Sequence, residues 1–179
     1  MTSLRKIIST ALSLAALTSP LTAHAQNRTQ DDVHFSAIAS LGLPFGDLAN
    51  ASDIGVGLAV RAEGRLSSPG WSLRADLSWD RFNGKGTVDS YSYLGAGAEM
   101  VHRDAGSRLY EFAGLGLYNS KVNYNDALSA DHTNLGMQGG VGFDLQAGGQ
   151  TPFVEFGLVS VFNTGGSSVW VPVRIGIRF

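Results

Sequence analysis

The 179-residue chain is long enough for one domain and carries 13 Lys and Arg against 15 Asp and Glu, with 23 glycines and no cysteine. The missing cysteine excludes disulfides, thiolate chemistry and a cysteine-anchored lipoprotein. The slightly acidic balance offers no basic surface for nucleic acid, and the glycine density disfavours helices, since each Gly costs about 1 kcal/mol relative to Ala inside one.

Residues 1–25 read as a cleaved signal peptide. Arg5 and Lys6 form a positive start, Ile7 to Leu17 an apolar stretch, and Ala23-His24-Ala25 the small-x-small pattern of a cleavage site. The apolar stretch is too short to span a bilayer and ends at Pro20, which argues against an anchor. The mature domain is therefore expected over 26–179, with Gln26 to Asp32 as a polar lead-in without regular structure. No later apolar run approaches 18 residues, so a transmembrane helix is not expected.

From there the dominant period is two. In chain order it predicts eight strands: 33–44, 54–66, 71–80, 91–102, 109–119, 133–147, 153–162 and 168–179. Val56, Leu58 and Val60 alternate with Gly57, Ala59 and Arg61. Trp71, Leu73, Ala75, Leu77 and Trp79 alternate with Ser72, Arg74, Asp76, Ser78 and Asp80. Successive strand side chains point to opposite faces, so each segment has one apolar face and one polar or tiny face. Most segments also exceed the usual soluble strand of about five or six residues, and suit a tilted membrane strand of about 9–11. The fifth segment fits least well. Tyr110, Phe112 and Tyr118 share a parity with Gly114 and Gly116, whereas Leu115 and Leu117 share the parity of Glu111. A bulge there would restore the pattern; so would aromatics in an interface girdle with Leu inside.

Tight turns are expected at Ser67 to Gly70, Arg103 to Ser107 and Gly148 to Thr151. Longer connections are expected at Phe45–Asp53, Arg81–Ser90 and Ser120–His132, with a shorter fourth at Asn163–Ser167. Short and long then alternate, as in an eight-stranded antiparallel up-and-down transmembrane β-barrel with periplasmic turns, outer loops and both termini in the periplasm.

With the apolar parity turned to lipid, the inward set contains Arg61, Glu63, Arg65, Arg74, Asp76, Glu99, Glu111, Asp144, Glu155, Arg174 and Arg178. An eight-stranded barrel is just wide enough for its own side chains, so these charges are expected to pair in a closed lumen. The glycines of the same runs are expected to leave room for the Arg and Glu stems. Trp71, Trp79, Phe82, Tyr91, Phe153, Phe162, Trp170 and Phe179 lie near segment ends, where membrane barrels carry aromatic girdles.

The export signal, the eight segments and the ending Val173-Arg174-Ile175-Gly176-Ile177-Arg178-Phe179 resemble the small outer-membrane β-barrel proteins of the OmpA/OmpX type. The stretch Leu43-Pro44-Phe45-Gly46-Asp47-Leu48 resembles the first outer loop of that family. The resemblance implies that Phe179 is the signal read by the barrel-assembly machinery. It also implies a setting among outer-membrane lipids and lipopolysaccharide, as a monomer. The periplasmic peptidoglycan-binding domain that some members append is not expected.

Catalytic and metal chemistry is weakly represented. His34, His102 and His132 show no metal-ligand spacing. His132-Thr133-Asn134 comes nearest to the His and Ser of barrels that act on lipid A, but Thr stands in for the nucleophile and no third group orients a base. Asn123, Asn125, Asp126 and Asp131 form a polar, acidic loop whose plain reading is a solvated surface, with weak Ca²⁺ or Mg²⁺ binding as the alternative. The expectation is a non-enzymatic barrel without cofactor or metal, with a structural or surface-contact role through its outer loops. A narrow solute channel, a lipid A-modifying enzyme and a soluble lipocalin-like barrel are the alternatives.

Overall fold

The computed structural model describes residues 33–124, 129–145, 151–164 and 166–179. The expected signal peptide and lead-in, Asn125, Asp126, and residues 148–150 of the third turn lie outside the described residues. Eight strands form one closed antiparallel sheet in chain order. They are β1 (Val33–Phe45), β2 (Ser52–Arg65), β3 (Trp71–Gly84), β4 (Val88–His102), β5 (Leu109–Tyr124), β6 (Ser129–Asp144), β7 (Thr151–Asn163) and β8 (Gly166–Arg178). β8 closes onto β1, with Ala37 opposite Ile177 and Ser40 opposite Arg174. Closure gives every strand two neighbours, so no long backbone edge faces hydrocarbon.

We call the end that carries Val33 and Arg178 the base and the opposite end the rim. The alternation places all eight strands, but it underestimates their length at the rim. Residues 81–84 belong to β3, 88–90 to β4, 120–124 to β5 and 129–132 to β6. The expected long loops at 81–90 and 120–132 are therefore mostly paired hairpin, and the alternation of short and long connections does not hold. The reason is backbone pairing. Arg81 lies opposite Ser92 and Lys121 opposite Asp131, so the ladder continues where apolar side chains stop. The first connection instead holds a short helix, α1 (Asp47–Ala51). Gly46 precedes it in the left-handed region at φ 57°. The Ser52 hydroxyl donates 2.8 Å to the Leu48 carbonyl, and the Leu48 side chain is buried in the rim of the barrel.

Outward positions form an apolar belt around the circumference. Leu58, Leu94, Leu115, Leu117 and Ile175 are all 57–62% exposed. Soluble monomers rarely expose contiguous apolar patches above a few hundred Å², so this exterior calls for hydrocarbon.

β5 resolves its parity without a bulge. Its register with β6 runs unbroken from Leu109 opposite Phe143 to Asn123 opposite Ser129. Tyr110, Phe112 and Tyr118 point inward and are buried, while Leu115 and Leu117 join the belt. Glu111 must then point outward, against its expected place in the lumen; its side chain is 72% exposed.

Three of the expected girdle aromatics are also inside. Phe82, Phe153 and Trp170 are fully buried, because they share strand parity with Asp80, Glu155 and Arg174 respectively. Trp71, Trp79, Phe162 and Phe179 do face outward, and Tyr91 is half-buried against the interior cluster.

The inward glycines make room chiefly for these rings. A Cβ on Gly142 would collide with the Tyr110 ring, and one on Gly176 with the Phe153 ring. At Gly42 and Gly55 it would come within 2.8 and 2.6 Å of Phe82, and at Gly136 within 2.7 Å of Tyr118. Two positions fit the expected role beside charged stems: Gly57 faces Asp80, and Gly114 faces Glu99 and its backbone.

Candidate functional site

The interior is filled in three layers. Nearest the rim, Phe82, Tyr93, Tyr118 and Trp170 pack edge-on and tilted around the indole. Their ring centroids lie 5.7, 4.9 and 6.1 Å from Trp170 for Phe82, Tyr93 and Tyr118. Such arrangements suit the quadrupoles of the rings. Leu48 of α1, Val159 and Val161 complete this layer, and the Tyr93 hydroxyl donates 2.9 Å to Ser168.

The middle layer is an ion-pair network centred on Glu155 of β7. Arg61 of β2 donates from Nε to Asp76 at 2.6 Å and from Nη1 to Glu155 at 2.6 Å. Arg74 of β3 bonds Glu99 of β4 through Nε and donates from Nη1 to Glu155 at 2.9 Å. The Tyr110 hydroxyl donates to the same Glu155 oxygen at 2.9 Å. Arg174 of β8 lies 3.7 Å from Glu155 and donates to Gln138 at 3.1 Å. Three guanidiniums thus face three carboxylates, and charge balance makes their burial tolerable. The Arg74 guanidinium also stacks 4.0 Å from the Phe112 centroid. Asp80 sits apart, toward the rim, and accepts from Ser40 at 3.2 Å.

The base layer is looser. Asp144 lies 3.3 Å from Arg178 and 3.2 Å from Arg103. Glu63 lies 3.8 Å from Arg178 and 4.0 Å from Arg103. These groups border a cavity of about 400 Å³ that also touches His34, Arg65, Ser72 and Phe179. Arg65 shares the inward parity but stands at the mouth, exposed, because β2 ends there.

The structure therefore brings Arg61, Arg74, Asp76, Glu99, Glu155 and Arg174 together, and gathers Glu63, Asp144 and Arg178 at the base. It leaves Arg65 at the mouth and turns Glu111 outward. Sequence reasoning missed Arg103, Asp80, Gln138 and Tyr110. Asp80, Gln138 and Tyr110 carry the inward parity and were findable by it. Arg103 lies in a turn and folds back over the Tyr110 ring, 4.7 Å from its centroid, which strand parity does not reveal.

The other expected sites disperse. His132 and Thr133 are neighbours on β6 and so point to opposite faces. Thr133 accepts from Asn119 at 3.3 Å, and the His132 carbonyl accepts from Ser120 at 3.1 Å. Asn123 donates to Ser90 at 3.1 Å, and Asp131 lies across the strand from Lys121.

A closed eight-stranded antiparallel barrel, apolar outside and charged within, is the architecture of the small outer-membrane β-barrels. Solved structures of that class resemble this chain. Neisserial surface protein A superposes with a TM-score of 0.58 at 16% identity, covering 82% of this chain and 95% of that one. A major outer membrane protein of Thermus thermophilus also gives 0.58, at 13% identity over 82% of this chain and 98% of its own. Ail of Yersinia pestis, solved with the heparin analogue sucrose octasulfate, gives 0.51 at 15% identity over 83% and 97%. No family model matches the sequence, and no curated protein matches it.

Proposed function

We propose that the protein is a non-enzymatic integral barrel of the bacterial outer membrane with a closed, charge-paired lumen, acting through its rim in a structural or surface-contact role. The filled interior carries this reading. Aromatic rings cover the rim half, and guanidinium–carboxylate pairs bridge the middle of the lumen. Such an arrangement leaves the hairpins and α1 as the parts free to meet other molecules. The base then faces the periplasm with both chain ends, Phe179 serves as the assembly signal, and the barrel acts as a monomer among phospholipids and lipopolysaccharide. The divergence of His132 and Thr133 supports the non-enzymatic reading.

Two measurements test it. Electrophoresis of the membrane fraction with and without boiling is expected to give a heat-dependent mobility shift, and a constant mobility refutes membrane insertion. Purified protein in planar bilayers is expected to give no steady single-channel openings. Regular openings refute the closed lumen and favour a narrow solute channel.

A further inference from the structure

Glu111 is out of place on the outer surface. On β5 the outward residues around it are Leu109, Ala113, Leu115 and Leu117. Across the sheet it faces Val141 on β6 and His102 on β4. A carboxylate at the bilayer midplane is unfavourable, and the penalty fades toward the interfaces. Glu111 lies two residues from the base end of β5, roughly 7 Å at a strand rise of about 3.4 Å per residue. Trp71, the first residue of β3, lies on the far side of His102 from Glu111, and Trp is typical of the membrane–water boundary.

The chemistry of the neighbourhood is cation-seeking. His102 Nδ1 lies 3.5 Å from Glu111, and its Nε2 lies 4.0 Å from Asp104, so two exposed carboxylates flank one imidazole. The Trp71 ring packs 4.7 Å from His102. Arg103, next in sequence to His102, has its guanidinium turned inside onto Asp144. Beside Glu111 runs an outer groove of about 340 Å³ lined by Trp71, Met100, Ala113 and Val141 among others. Glu111 and His102 stand at this groove, whose other lining residues are apolar.

We propose that Glu111, His102 and Trp71 form an interfacial site for a membrane lipid whose headgroup carries a primary ammonium. Such a group donates three hydrogen bonds, which suit the two carboxylates, and a cation is attracted to the face of Trp. A quaternary ammonium of the same charge donates none. The proposal rests on the membrane reading above, though not on the closed lumen.

Native mass spectrometry of the refolded protein tests it, after equilibration in EDTA with ethanolamine, choline and glycerol phospholipids of identical chains. The ethanolamine lipid is expected to be retained roughly two- to fivefold over the choline lipid, the difference that hydrogen bonds to exposed carboxylates make when the charge is equal. Glu111→Gln is expected to bring that ratio near one, whereas Trp71→Leu is expected to weaken retention of both lipids and leave their ratio unchanged, since a Trp face attracts either ammonium. Equal retention by the wild-type protein, preference for the anionic glycerol lipid, or a ratio that survives Glu111→Gln overturns the site. Failure of the membrane reading appears separately, as a missing heat-dependent shift before any lipid is added.

Discussion

Glu155→Gln keeps the shape of the hub and removes its charge. Glu155 accepts 2.6 and 3.1 Å bonds from Arg61, a 2.9 Å bond from Arg74 and a 2.9 Å bond from Tyr110, with Arg174 at 3.7 Å. After substitution, three guanidiniums face two carboxylates, and the new amide nitrogen brings donors toward donors. Removing one partner of a buried ion pair costs about 3–5 kcal/mol, a large share of a total that is typically about 5–15 kcal/mol. Denaturant titration in lipid vesicles, followed by tryptophan fluorescence and by the fraction of heat-shifted band, reads the change as a lower midpoint. Glu111→Gln, on an exposed side chain, is the control and is expected to move stability by less than about 0.5 kcal/mol. A loss below about 1 kcal/mol for Glu155→Gln refutes the reasoning, since the hub charge would then be screened by solvent and not held by its partners.

Gly142→Val is expected to destabilise by about 1–3 kcal/mol, the usual cost of overpacking, and Tyr110→Leu in the same chain is expected to recover part of it. Strict additivity in that double-mutant cycle, measured by the same titration, sinks the ring-over-glycine account. Phe82→Ala with Trp170→Ala removes the centre of the rim layer and is expected to remain silent in planar bilayers, because the ion-pair layer still bridges the lumen; single-channel openings from the folded double variant refute that layer's closing role. Phe179→Ser is expected to lower the heat-shifted population in cells while leaving refolding into detergent nearly unchanged, because the side chain is 66% exposed. Equal cellular levels refute its role as an assembly signal.

Strand number and antiparallel order were legible because period-two alternation survives wherever one face meets hydrocarbon and the other does not. Arg61, Arg74, Glu155 and Arg174 were legible as inward by the same parity. Strand ends were not, because Lys121 and Asp131 pair through backbone bonds that leave no hydropathy signal. Phe82, Phe153 and Trp170 lie near segment ends as girdle residues do, yet their parity is that of Asp80, Glu155 and Arg174, and parity decides the face. Glu111 shows the converse, a charged side chain that suggests the lumen but whose parity with Leu115 and Leu117 turns it outward. Which carboxylate would become the hub depends on contacts between strands far apart in the chain, and no local pattern encodes those.

The spacing of the middle-layer pairs also bears on how the barrel is completed. Arg61 and Asp76 are separated by 15 residues, and Arg74 and Glu99 by 25, so both pairs can form within the β2–β3–β4 meander alone. The bonds from Arg61 and Arg74 to Glu155 span 94 and 81 residues. Contacts of such separation carry a large loop-closure entropy and come late. A partly assembled sheet therefore keeps its arginines neutralised by near neighbours, and the arrival of β7 converts two independent pairs into one joined unit. The hub thus acts as a latch whose fastening depends on the last strands, making a half-built barrel distinguishable in stability from a finished one.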